Sequence, residues 1–192
     1  MPYLRKEIIK MEQHEYLHNY EEKLMQHLLR MLTSMQKLGG KLLESQDISD
    51  KWDQMAPSYV ADGVKEIAEY PTVALGWAMY LGMAVAHCWD DAWDVYGSMP
   101  NLYEFIRDKR GFDYMDEVVR FDMLKMPQYE AEETERMGQS CSQQALDMIR
   151  HEQIDPQSPL AFHVYARSIN VLYLLGAAVE LKRLGYKMEQ VN

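Results

Sequence analysis

Two histidines and a glutamate near the start of the chain have the spacing of a zinc site. His14, Glu15 and His18 form the pattern His-Glu-x-x-His. On an α-helix this spacing places both imidazoles one turn apart on the same face, where they can share a zinc ion. The glutamate between them can then activate a zinc-bound water. The pattern therefore predicts His14 and His18 as metal ligands and Glu15 as a general base.

The same five residues resemble the signature of the zinc metallopeptidases. The resemblance implies a third metal ligand elsewhere, because the longer form of the signature, with a glycine and a third histidine, does not follow in this sequence. Glu15-x-x-His18 also resembles the ligand pair of the ferritin-like di-iron proteins, in which the pair occurs twice. The alternative is that these residues are ordinary polar side chains at the boundary between a helix and the core.

A second group of chemically active residues begins at His87. Asp90-Asp91-x-x-Asp94 resembles the first aspartate-rich motif of the isoprenyl diphosphate synthases, which are all-α enzymes. The resemblance implies that the carboxylates hold Mg²⁺ bridged to a diphosphate, since hard oxygen ligands suit that ion. Without the resemblance, His87 and the aspartates are expected to line a cleft that binds a cation or a basic ligand group.

The plainer interpretation of the aspartates is a solvated helix face. Acidic side chains at spacings of three and four residues, and near a helix C-terminus, destabilise the helix by a few tenths of a kcal/mol each. Water or nearby cations would relieve this repulsion. The cations expected to do so are those of the next segment, namely Arg107, Lys109 and Arg110.

The two motifs together suggest one shared site. If the first and third helices are neighbours, His14 and His18 could meet His87 and Asp91 across a helical bundle, with Glu15 activating water. Such a site would bind a divalent metal and would make the protein a metal-dependent hydrolase.

Composition limits the other classes of function. The 192 residues are 47% hydrophobic and 26% charged, with a formal net charge of −10. An acidic chain is not expected to bind nucleic acid through a basic patch. The mean hydropathy of −0.42 predicts no membrane span. Residues 87–135 carry 13 acidic and 5 basic side chains, so a docking surface for a basic partner is one interpretation of this region.

Localisation is predicted from the cysteines and from the first residues. Cys88 and Cys141 lie far apart and neither has a Cys-x-x-Cys neighbour, so we expect two buried thiols rather than a disulfide or a zinc-thiolate site. Residues 1–10 contain no apolar run of the kind found in signal peptides. These features predict a cytoplasmic protein.

Hydrophobic periodicity predicts an all-α fold, a single-domain helical bundle over residues 1–192 with four long helices and two or three short ones. The first helix is expected over about residues 3–38 and the second to begin near Pro57. A third is expected from Pro71 to about residue 97. Shorter helices should follow over about 98–111 and 113–125. Two more should end near residues 152 and 184, the last beginning at Pro159.

The third helix is expected at the centre of the bundle, because residues 72–86 carry no charge. Ala74, Ala78, Gly82 and Ala86 recur every four residues and form a ridge of small side chains that allows a neighbouring helix to approach closely. The apolar residues 171–179 predict that the last helix is the second central one.

Two functions remain as hypotheses. The first is a non-enzymatic binding or interaction module for a protein or small-molecule partner, including a second copy of this chain as a homodimer. The second is the metal-dependent hydrolase.

Overall fold

The computed structural model describes residues 2–187 of the chain, and within them the fold is all-α with no β-strand. Two irregular helices, a 3₁₀ turn (Phe112–Tyr114) and a π-helix (Val118–Met123), accompany the seven α-helices. The α-helices are α1 (Pro2–Ser34), α2 (Gln46–Glu66), α3 (Pro71–Tyr96), α4 (Leu102–Arg107), α5 (Met115–Glu117), α6 (Gln128–His151) and α7 (Pro159–Arg183).

Helices α3 and α7 form the centre of the fold and touch backbone to backbone. A Cβ atom added at Gly82 would lie 2.0 Å from the carbonyl oxygen of Tyr173, and one added at Gly176 would lie 2.1 Å from that of Met79. Only glycine permits so close a crossing. The prediction of a small-residue ridge on α3 is therefore confirmed at Gly82, and α7 supplies the matching glycine.

Both central helices are long and apolar enough to cross a membrane, judged by length and composition alone. In this fold, 72% of the most apolar window of α3 and 78% of that of α7 are buried inside the protein. The core helix of a water-soluble protein has the same two properties.

The remaining long helices surround this pair. In α6, Gly138 lies beside Tyr80 and Ser142 lies beside Gly76, so α6 runs antiparallel to α3. Helix α2 also packs on α3, where the Tyr59 hydroxyl donates a hydrogen bond to the Ala74 carbonyl. Helix α1 packs on α7 and α6.

The signals at helix ends act as expected. Pro71 begins α3. The Ser158 side chain accepts a hydrogen bond from the amide of Ala161 and so caps α7, which begins at Pro159. Gly185 follows α7 with a φ of 99°, the left-handed conformation that ends many helices.

The bounds of α2 and α1 differ from the sequence prediction. Helix α2 begins at Gln46, and Pro57 lies inside it. The buried side chains of Ile48, Trp52 and Met55 explain this extension, because their packing outweighs the cost of an internal proline. Helix α1 ends at Ser34, before its predicted end near residue 38.

Candidate functional site

The residues of the His-Glu-x-x-His motif lie at the surface of α1. The side chains of residues 3–15 are all exposed. The buried stripe of this helix begins only at Leu17. His14, Glu15 and His18 line an open groove of about 990 Å³ at the start of α7. His18 Nε2 lies 3.4 Å from the Glu22 carboxylate in an exposed pair.

The four predicted metal ligands do not come together. Within the described residues, no three His, Cys, Asp or Glu side chains are placed to hold a metal ion. His14 and His18 are exposed beside the groove, whereas His87 lies against α7. Asp91 is exposed on α3.

The aspartate face of α3 is solvated, in agreement with the plainer interpretation. Asp90, Asp91 and Asp94 are exposed. Asp90 accepts a hydrogen bond of 2.6 Å from the Tyr186 hydroxyl. The arginines of the next segment, which were expected to pair with these aspartates, pair with other carboxylates. Arg107 pairs with Asp62 and Asp108, and Arg110 pairs with Glu117.

His87 instead lies beside a buried acid that the sequence analysis did not identify. Glu180 is 0% exposed, and its carboxylate lies 3.9 Å from His87 Nδ1, which is buried and has no hydrogen-bond partner. Arg183 donates a hydrogen bond of 3.1 Å to the same carboxylate. Burial raises the pKa of Glu180 from its ordinary 4.5 to about 7, although Arg183 opposes the shift.

This shift predicts how the stability of the protein depends on pH. The folded state holds the Glu180 proton more tightly than the unfolded state, so folding stability falls as pH rises from about 4.5 to about 7. The variant Glu180→Gln keeps an oxygen for Arg183 but cannot ionise. We therefore expect it to be more stable than the parent protein by about 2–3 kcal/mol at about pH 8.5, and nearly equal to it at about pH 4.

Urea titrations at the two pH values measure the difference. The control is Glu12→Gln, which removes a carboxylate from an exposed position of α1 and should leave the pH dependence unchanged. A Glu180→Gln variant with the same pH dependence as the parent would show that Glu180 does not ionise in this range.

A partly open pocket with several polar groups lies between α3 and α6, and we call it the α3–α6 cleft. Its volume is about 350 Å³, near the lower end of the range for ligand pockets. Its lining residues are Thr72, Val73, Gly76, Trp77, Tyr80, Asp116, Glu135, Gly138, Gln139, Ser142 and Gln143.

Two glycines and two aromatic rings shape the cleft. Gly76 on α3 and Gly138 on α6 let the two helices approach closely, because a Cβ atom added there would lie 3.6 Å from Ser142 and 3.2 Å from the Tyr80 hydroxyl. Trp77 and Tyr80 lie one turn apart on α3 with their ring centroids 5.5 Å apart, edge to face. The Trp77 indole is fixed by a hydrogen bond of 2.8 Å to the carbonyl of Phe112.

The hydroxyl of Tyr80 is the most informative group in the cleft. Tyr80 is only 3% exposed. A Cβ atom added at Gly138 would lie 3.2 Å from its hydroxyl oxygen, so the hydroxyl is at the wall formed by α6. It donates to no other described residue, and its oxygen is not fully buried, so water in the cleft can reach it. Burial raises the pKa of Tyr80, so the hydroxyl keeps its proton and can donate.

A buried arginine holds the two carboxylates of the cleft. Arg120 is 5% exposed and lies in the π-helix. It donates to the Asp116 carboxylate at 2.8 Å, to the Glu135 carboxylate at 3.4 Å and to the Ala131 carbonyl at 3.1 Å. Its guanidinium also lies 5.7 Å from the centre of the Tyr80 ring. Burial raises the pKa of Asp116, against the opposing effect of Arg120.

The irregular helix explains how Arg120 reaches these partners. The sequence predicts one short helix over residues 113–125, but the chain forms a 3₁₀ turn, one α-turn and a π-helix there. The wider turns of a π-helix shift side chains around the axis, and such helices are frequent at functional sites. Val118 and Val119 remain buried while Arg120 turns toward α6.

The cleft residues were not found from the sequence, although one signal pointed to them. Arg120 follows two valines and precedes Phe121, and a single charge within an apolar run indicates a buried ion pair. Glu180 follows two alanines and a valine and gives the same signal. The partners of such charges cannot be read from spacing, because they come from other helices.

Comparisons with known proteins give no relative for this chain. No protein-family model matches it, no curated protein matches its sequence, and no solved structure matches its fold at a significant level.

Proposed function

We propose that this protein is a helical binding module and that its α3–α6 cleft holds a small polar molecule. The observation that carries the proposal is the Tyr80 hydroxyl. This hydroxyl lines the cleft and donates to no other described residue. A ligand oxygen or nitrogen in the cleft would accept its hydrogen bond in place of water.

The charges of the cleft support binding rather than chemistry. Asp116 and Glu135 are both held by Arg120. This arrangement fixes two carboxylates in place, whereas a general base needs a nucleophile within hydrogen-bond reach. The remaining polar lining consists of the hydroxyls of Thr72 and Ser142 and of two glutamine amides, which are groups that orient a ligand.

A cleft-blocking variant tests the proposal. Gln139 is exposed and lines the cleft, whereas the next residue of α6, Ser140, is exposed and does not line it. A tryptophan at Gln139 should therefore cover the cleft without disturbing the core. We expect a thermal-shift screen of small polar metabolites to yield compounds that raise the melting temperature of the parent protein by about 2–4 °C at saturating concentration.

The same compounds should stabilise Ser140→Trp as they do the parent and should have no effect on Gln139→Trp. The proposal fails if every active compound stabilises both variants equally, because the binding site would then lie elsewhere. It fails also if the screen yields no active compound.

A further inference from the structure

We infer that the ligand of the α3–α6 cleft is a small organic cation, an amine or amidine on an aromatic or aliphatic body. This inference rests on the proposed function and specifies its ligand. Two independent features of the cleft carry it. One is an unbalanced negative charge, and the other is the hydroxyl of the buried Tyr80 side chain, which lines the cleft and donates to no other described residue.

The charge balance follows from three side chains. The only charged residues that line the cleft, among those the structure describes, are Asp116 and Glu135. Their one shared cation is Arg120, so two negative charges meet one positive charge and one negative charge remains. The exposed fractions of the Asp116 and Glu135 side chains are 15% and 46%, so a carboxylate is accessible from the cleft.

The position of Arg120 determines whether a cationic or an anionic ligand fits the cleft. Its side chain is 6% exposed and already donates to acceptors of α5 and α6. It is not part of the cleft wall, so an anionic ligand would meet carboxylates rather than the guanidinium. A cationic ligand would meet Glu135 directly and form a charge-assisted hydrogen bond in a partly buried site.

The rings of the cleft fit the same ligand. Cations are attracted to the faces of aromatic rings, most strongly to tryptophan. Trp77 is half-buried at the cleft wall, and Tyr80 already carries Arg120 near its ring. Trp77, Tyr80 and Glu135 all line this one cleft of about 350 Å³.

Three probes of similar size and different charge test the inference. Phenethylamine is cationic at neutral pH, phenethyl alcohol is neutral, and phenylacetate is anionic. We expect isothermal titration calorimetry to show that phenethylamine binds at least about tenfold more tightly than phenethyl alcohol, and that phenylacetate does not bind. Gln139→Trp should abolish the binding of phenethylamine.

A matched pair of charge variants identifies the carboxylate. Glu135→Gln should weaken phenethylamine binding by about tenfold and leave phenethyl alcohol unchanged. Glu132→Gln removes the same charge from an exposed position of α6 that does not line the cleft, and it should have no effect. Circular dichroism of both variants verifies that they are folded.

The outcomes separate this inference from the proposed function. If phenethyl alcohol or phenylacetate binds more tightly than phenethylamine and Gln139→Trp abolishes that binding, the inference of a cationic ligand is wrong. The proposal that the cleft is a binding site then still holds. Equal binding of phenethylamine to the parent and to Glu135→Gln would overturn the inference as well. If none of the three probes binds, the inference of a cationic ligand is wrong. The metabolite screen alone then tests the proposed function.

Discussion

Gly82→Ala is expected to destabilise the protein by about 4 kcal/mol or more, although it adds a single methyl group. The added carbon would lie 2.0 Å from the backbone oxygen of Tyr173 and 2.8 Å from the backbone nitrogen of Ala177. Backbone atoms of a helix cannot turn aside as a side chain can. The two central helices would have to separate along their whole contact, and the loss of packing would reach the core on both sides.

A second glycine provides the control, because it lies inside a helix without a close neighbour. A Cβ atom added at Gly63 in α2 would meet Ala74 at 3.8 Å, an ordinary contact distance. Gly63→Ala should therefore stabilise the protein by about 0.5–1 kcal/mol through helix propensity. Urea unfolding followed by circular dichroism measures both variants. Equal midpoints for Gly82→Ala and the parent would contradict the close crossing of α3 and α7.

Arg120→Met is expected to cost about 3–5 kcal/mol of stability. The substitution leaves Asp116 and Glu135 without their shared cation and leaves the Ala131 carbonyl without this donor. Breaking a buried ion pair by removing one partner costs more than a surface pair, because the remaining charge stays out of water.

An exposed arginine of the same region serves as the matched control. Arg110 pairs with Glu117, and both side chains are nearly half exposed. Arg110→Met should change stability by at most about 1 kcal/mol. If the two methionine variants unfold at the same urea concentration, Arg120 is not the buried centre of this charge cluster.

The fold was largely predictable from the sequence, because its signals are local. The uncharged run of residues 72–86 and the apolar run of residues 171–179 predicted both central helices, and both are buried. Ser158, Pro159 and Gly185 marked the ends of α7 by their own backbone preferences. Each of these inferences needs only the residues within a few turns of one helix.

The candidate site was not predictable, because it depends on distances between helices. Tyr80, Asp116 and Glu135 come from three separate elements, and only the crossing of α3 and α6 brings them to one cleft. The local motif at His14 and His18 had the spacing of a metal site, but it lies on the exposed part of α1, before the buried stripe begins at Leu17. Spacing along one helix determines which side chains share a face. It does not determine whether that face packs against another helix or is exposed to solvent.

The most direct test of the central proposal is fluorine NMR of the protein labelled with fluorotryptophan and titrated with phenethylamine. The chain has four tryptophans, and of these only Trp77 lines the α3–α6 cleft. A Trp77→Phe variant assigns its resonance. We expect the Trp77 resonance to move to saturation while those of Trp52, Trp89 and Trp93 stay in place. A Trp77 resonance that does not move, whether or not the others do, would contradict binding in the cleft.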